Sequence, residues 1–400
     1  MQRKFTWIRV TGVVAGLVMC SLAQAQAVLP LKIGLIGPFS GLSSDVGNPM
    51  LEGAQLAVEE INAVGGYLGR PLQLVVRNDQ ASPERGVAEA ESLLGEGVVA
   101  TLGFCNTDVA DKALAVFQNA KSPLLVPCAT GTPLTTRYPA ADSYIFRSTA
   151  SDAIQAPFIV DDLVRNGWTK VAIFADSSRY GSAGLADVTA ALAAKNLKPV
   201  HVTRFAAGVK DLREELKAAR EAGANVIFSY TQGLDQATVA NGRKDIAWQV
   251  PQVGAWTLSF PFFIDSARDA GEGALMAQTF IAEPSNERRA AFLSAYARKY
   301  SKRMAVPMAT AHAYDTTYLL LYALLGVRDG HLDGPAVKAA LESINRVYYG
   351  VVATYDKPFS RDDKEAISTN MLVMGQVHRG RVTFAYPQDA KRNLTIQRKK

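Results

Sequence analysis

Two short loops hold the residues best placed to do chemistry. Cys105-Asn106-Thr107 follows the apolar run 98–102, and Cys128-Ala129-Thr130-Gly131-Thr132 follows the run 123–126. Each leads into a helix. Apolar spacing at Val109, Ala113, Val116, Phe117 and Ala120 marks the first, and Pro133 sits where a first helical residue is favoured in the second. Hydroxyls beside the unpaired N–H groups of a helix start suit a small anion such as a carboxylate. Two ordinary helix caps would use the same residue types. A site is favoured because both runs read as neighbouring parallel strands, which open their loops at one sheet edge, where open α/β sheets bind ligands.

Catalysis finds no support in the chain. There is no GxxxxGK[ST] phosphate loop, no GxGxxG after a strand, no HExxH and no GxSxG elbow. Ser182 lies in YGSAG, with a glycine directly before it. His201, His312, His331 and His378 are scattered over unrelated elements, and the two loops offer too few ligands for a metal. No catalytic residue, cofactor or metal is therefore expected.

The surrounding pattern is α/β. Buried-strand runs at 31–39, 72–76, 98–102 and 123–126 alternate with helical periodicity at 50–63, 83–94 and after Thr107, which predicts a doubly wound parallel sheet. The Gly- and Ser-rich turn 40–44 follows the first strand. Around 144–151 the pattern starts again, with helices at 152–165, 183–194, 211–222 and 235–241 between strands at 171–175, 200–205, 226–230 and 252–255. A second α/β unit follows from this. The last third carries long helices at 286–300 and 309–327, a shorter one at 335–344, and late strands at 351–355, 370–376 and 381–385.

With 400 residues, 48% hydrophobic and 20% charged, the composition is that of a globular protein of two or three domains. Residues 1–25 read as a secretory signal: Arg3, Lys4 and Arg9 precede an apolar run that ends in Ala23-Gln24-Ala25. That leader holds three basic residues and no acid, so its removal lowers the net charge from +6 to +3. No internal basic block asks for nucleic acid, and no later apolar run is long enough to span a membrane. In an oxidising exported compartment, Cys105 and Cys128 at adjacent strand ends favour a disulfide over two buried free thiols.

Several stretches together resemble the periplasmic leucine/isoleucine/valine-binding proteins, the substrate-binding components of ABC importers. They are KIGLIGPFSG, GAQLAVEEINAVGGYLGRPLQLVVRND from Gly53, PERGVAEA, the Cys105 loop, FRSTASDAIQA from Phe146 and FADSSRYG from Phe174. The resemblance implies a type I periplasmic binding fold: two lobes joined by three hinge crossings, closing on a small molecule and presenting it to a membrane permease. It places lobe one at 28–147 plus 279–354 and lobe two at 148–278 plus 355–400. It further implies a periplasmic monomer, with a sensor that regulates a partner as the alternative class.

By position in that family, Asn106 or Thr107 and Thr130 match donors to the ligand carboxylate. Cys128 matches a residue whose backbone carbonyl approaches an amino group, and the turn containing Ser43 and Ser44 lines the same cleft. Tyr180 and Tyr230 match aromatic residues that shut over the ligand. The family's amino-acid binders carry a glutamate after the strand spelled here Gln252-Val253-Gly254, whereas this chain has Ala255-Trp256-Thr257. An ammonium buried without a carboxylate is costly, and Trp256 offers a flat apolar face instead. An aromatic or keto carboxylate is therefore expected ahead of an aliphatic amino acid. Arg147 is expected at a hinge, and Asp79 and Asp176 in structural roles.

Overall fold

Uninterrupted β-branched and aromatic runs build the centre of each lobe. Val171-Ala-Ile-Phe-Ala-Asp176 is buried at every position, as a strand covered by helices on both faces must be. The computed structural model describes residues 28–328 and 330–399; the expected leader lies outside the described residues.

The first sheet is parallel and has five strands: β1 (Leu31–Gly37), β2 (Leu72–Asn78), β3 (Thr101–Gly103), β4 (Leu124–Val126) and β5 (Ile145–Arg147), in the order β2-β1-β3-β4-β5. The sequence pattern restarts at 144–151, and its first strand, Ile145–Arg147, pairs with Leu124–Val126 in the first sheet, within the stretch 28–147 that the resemblance assigns to lobe one. The second sheet contains β6 (Val171–Asp176), β7 (His201–Phe205), β8 (Val226–Tyr230), β9 (Gln252–Gly254) and β10 (Leu275–Gln278). A small hairpin, β11 (Tyr348–Tyr349) and β12 (Thr354–Tyr355), precedes β13 (Val373–His378) and β14 (Arg381–Phe384). The order is β14-β13-β10-β9-β8-β6-β7, with β13 and β14 antiparallel at one edge.

In each sheet the winding reverses beside one strand. β1 lies between β2 and β3, and β6 lies between β7 and β8. Loops leaving such strands diverge to opposite faces of the sheet and open a crevice at the C-terminal ends.

The chain passes between the sheets three times: after β5, after β10, and between β12 and β13. One buried helix, Pro307–Leu324, is bonded at all three. Its Thr316 is hydrogen-bonded to Ser148, and His312 Nε2 lies 2.6 Å from Thr279 Oγ1. Its Asp315 accepts from the amides of Val351 and Val352 at 2.9 Å each and from the Tyr355 hydroxyl at 3.1 Å. Positions 312, 315 and 316 share a helix face, so one rigid element sets the geometry of all three crossings. Burial holds the His312 imidazole down at about 3, so it is neutral at physiological pH.

Candidate functional site

A cavity of about 510 Å³ opens where the C-terminal strand ends of the two sheets face each other. Its lining comes from the loops after β1, β2, β3, β4, β6, β7, β8 and β9, which is where the two winding reversals direct it.

From lobe one, Ser43, Asn106, Thr107 and Thr130 reach the cavity; from lobe two, Tyr180 and Trp256 do so. The strand pairing that sets Leu102 opposite Leu125 brings the two loops together three residues further on. They are bonded directly: the Gly131 amide donates to Thr107 Oγ1 at 3.3 Å, and the Ala129 amide donates to the Phe104 carbonyl at 2.9 Å. Gly131 is required there, because a Cβ would sit 2.3 Å from the Thr107 methyl.

Four of the expected residues do not line the cavity. Ser44 opens the helix Ser44–Ala63 and turns its hydroxyl to the Gly41 carbonyl at 2.7 Å. Cys128 and Ala129 are buried beneath the loop, since they continue β4 into the core. Tyr230 backs Tyr180, with ring centroids 5.0 Å apart, and fills the space that Gly184 leaves by lacking a side chain. The structure holds Cys105 and Cys128 side by side as free thiols rather than as the expected disulfide. Cys105 Sγ also approaches the helix 44–63, 3.7 Å from Met50 Sδ and 3.8 Å from the Val46 carbonyl. Burial, reinforced by Cys128 beside it, pushes the Cys105 thiol well above its ordinary value.

The residue missed in the sequence is Asp152. It is fully buried at the start of the helix Asp152–Arg165, and its amide donates to the Thr130 carbonyl at 2.9 Å. Burial pushes its carboxyl up to about 7, against the opposing pull of the Tyr230 and Thr130 hydroxyls and of Arg147. Asp152 Oδ2, Thr130 Oγ1 and the hydroxyls of Tyr180 and Tyr230 cluster around that carboxyl without closing a well-formed hydrogen bond, and Asn106 Oδ1 at the cavity wall has no partner. Buried polar atoms are nearly always paired, so this many together mark a place built for something else to bind. The one hint in the sequence was an acid directly after Ser151, which reads as an ordinary helix start.

Apolar surface completes the cavity. Trp256 packs edge-on to Phe260 at 4.8 Å, and Phe260 to Phe262 at 5.4 Å. Gln155 holds this turn in place by accepting from the Trp256 amide at 3.1 Å. Asp176 lines the cavity but is already engaged, accepting from the Thr231 hydroxyl at 2.6 Å and the Gln232 amide at 2.9 Å. Among the described residues, Lys210 is the one basic side chain in the lining, and no group of three or more His, Cys, Asp or Glu is placed to hold a metal ion.

The lobes touch across the mouth. Asn106 Nδ2 donates to Gln232 Oε1 at 3.2 Å, Gln232 Nε2 donates to Asp108 Oδ2 at 3.2 Å, and the Arg179 amide donates to Asp108 Oδ1 at 2.8 Å. Asp108 thereby meets an open amide at the start of the helix Arg179–Ala193, a charge-favoured contact.

A family model described as periplasmic binding protein matches residues 30–380. The Leu/Ile/Val-binding protein homolog 3 of Brucella melitensis is 32% identical over 237 residues, which is 59% of this chain and 63% of that protein. A type 1 periplasmic binding protein of Bordetella pertussis superposes with a TM-score of 0.80 at 22% identity, over 89% of this chain and 99% of that one. A solute-binding protein of an ABC transporter from Rhodopseudomonas palustris, in complex with 3,4-dihydroxybenzoic acid, superposes at 0.73 with 20% identity, over 88% and 95%. These are binding proteins and not enzymes, and so is this one. The two facing sheets, their three crossings and the match over most of its length place the chain in the periplasmic binding protein family.

Proposed function

We propose that this protein is the exported receptor of an ABC importer, closing in the periplasm on a small α-amino acid with an apolar side chain and presenting it to a membrane permease. The supporting observation is the set of unpaired buried groups. Thr130 and Asn106 face a carboxylate, Asp152, buried behind Thr130 and Tyr180, supplies the counter-charge to an ammonium held at Tyr180, and Trp256 with Phe260 covers the side chain. The case for an aromatic or keto acid began from a missing acid after β9. Asp152 supplies a buried carboxylate from a different element, and relatives named for leucine, isoleucine and valine agree with that reading. The aromatic or keto acid is retained as the second reading on one observation: with its carboxyl near 7, a protonated Asp152 would donate to a ligand oxygen.

A thermal-shift screen separates the two, with aliphatic amino acids in one panel and aromatic or keto acids in the other. A ligand at a hundredfold excess over its Kd adds about 2.7 kcal/mol of stability. Hits confined to the second panel would overturn the amino-acid reading. In either case Thr130→Ala is expected to weaken binding by about 1–3 kcal/mol, the cost of removing a partner from a buried charge. Unchanged affinity in titration calorimetry would remove Thr130 from the site.

A further inference from the structure

A second cavity, of about 570 Å³, lies on the other side of the turn that carries Trp256. Trp256 faces the interlobe cleft, whereas Ser259, three residues on, lines the second cavity and donates to the Trp256 carbonyl at 2.6 Å. The walls come from both lobes: the end of β10 and the β13–β14 turn on one side, the helix Glu287–Tyr300 and residues 302–307 on the other.

Its interior is apolar, with Ile264, Phe280, Leu293 and Met304. Lys302, Arg303 and Arg381 also line it, and no acidic residue does. Glu52 answers Lys302, but among the described residues neither Arg303 nor Arg381 makes an ion pair. Gln278 lines the same space at 2% exposure, and its Nε2 is buried without a partner. A buried amide donor with nothing to donate to, two exposed guanidinium groups at the rim that no carboxylate pairs, and an apolar interior together describe a receptor for one chemistry.

We propose that this cavity is a second binding site, separate from the interlobe cleft, for an organic carboxylate with an extended apolar body. The apolar body lies among Phe280, Leu293 and Met304, and the carboxylate meets Arg303, Arg381 and the Gln278 amide. The volume falls within the range of small-molecule sites.

Titration calorimetry with decanoate, decanol and inorganic phosphate on the purified protein tests this. Decanoate is expected to bind with one site per chain, at least about tenfold more tightly than decanol or phosphate. The paired substitution R303Q with R381Q is expected to weaken decanoate about tenfold or more, and Gln278→Leu to weaken it as well. Ser43→Ala, which changes the cleft wall and removes no contact between the lobes, should leave decanoate affinity unchanged. Because both arginines are exposed, their double variant remains informative even where a melting curve shows that Gln278→Leu fails to fold. Absence of binding, equal affinity for decanol, indifference to the arginine pair, or loss of decanoate binding in Ser43→Ala would each overturn the assignment.

Discussion

Asp152→Asn is expected to weaken an amino-acid ligand more than a hundredfold, about 3 kcal/mol or more, while leaving the fold intact. Asn fills the same space and keeps the backbone bond to the Thr130 carbonyl, so the change is confined to charge. An ammonium held against Tyr180 and Thr130 then has dipoles but no counter-charge, and the desolvation penalty is no longer offset. Titration calorimetry against leucine, phenylalanine and benzoate checks this. An amino acid that binds the variant as tightly as the parent would exclude Asp152 as the ammonium partner.

The same residue gives the binding a pH dependence whose sign discriminates between ligands. Burial raises the free carboxyl to about 7, so it is ionised above that pH and protonated below it. The groups facing it are the hydroxyls of Tyr230, Tyr180 and Thr130, the Arg147 guanidinium and the Asp187 carboxyl. An ammonium ligand needs the ionised form, so its affinity should fall about tenfold for each pH unit below 7. A ligand bearing only a carboxylate should bind more tightly over that same interval, because the repelling charge is removed.

Arg147→Leu is expected to lower stability by about 3–5 kcal/mol and ligand affinity with it. Arg147 is 1% exposed at the end of β5. Its Nη1 donates to the carbonyls of Thr130 and Gly131 at 2.8 and 2.7 Å, and its Nη2 to the Thr135 hydroxyl at 2.8 Å. Its Nε donates to the Glu365 carboxylate at 2.9 and 3.1 Å. The guanidinium thus fixes the Thr130 loop of lobe one against the 364–366 segment, while the backbone of Arg147 pairs with Lys364 and Ala366 at 2.8 Å each. Leucine would leave two buried carbonyls and a carboxylate without their donor. Chemical denaturation measures the stability loss. If affinity fell while stability held, Arg147 would be acting on the ligand rather than on the loop.

Much of the architecture was legible because its signals are local. The runs at 31–39, 171–175 and 226–230 are apolar but for Lys32 and Ser229, and only a strand covered on both faces needs that. The start of the first helix was less so. Apolar spacing suggested a beginning at Met50, but the helix starts at Ser44, because Gly47 permits contact with the Pro38 carbonyl, where a Cβ would lie 2.1 Å away. Ile145–Arg147 has the composition of a strand in either sheet; residue pattern alone left that open, and its register with Leu124–Val126 sets it in the first.

By itself, the sequence determined that two parallel sheets would form and that the loops after Leu102 and Val126 would lie side by side, since strand runs, helix periods and chain order are properties of neighbouring residues. Tertiary structure alone decided that Asp152 would be the buried acid, that Tyr230 would back Tyr180, and that the Cys105 thiol would face Met50. Each of those outcomes depends on the side chains that surround a residue after folding. Burial and the fields of distant groups set its role, and neither is encoded in local spacing.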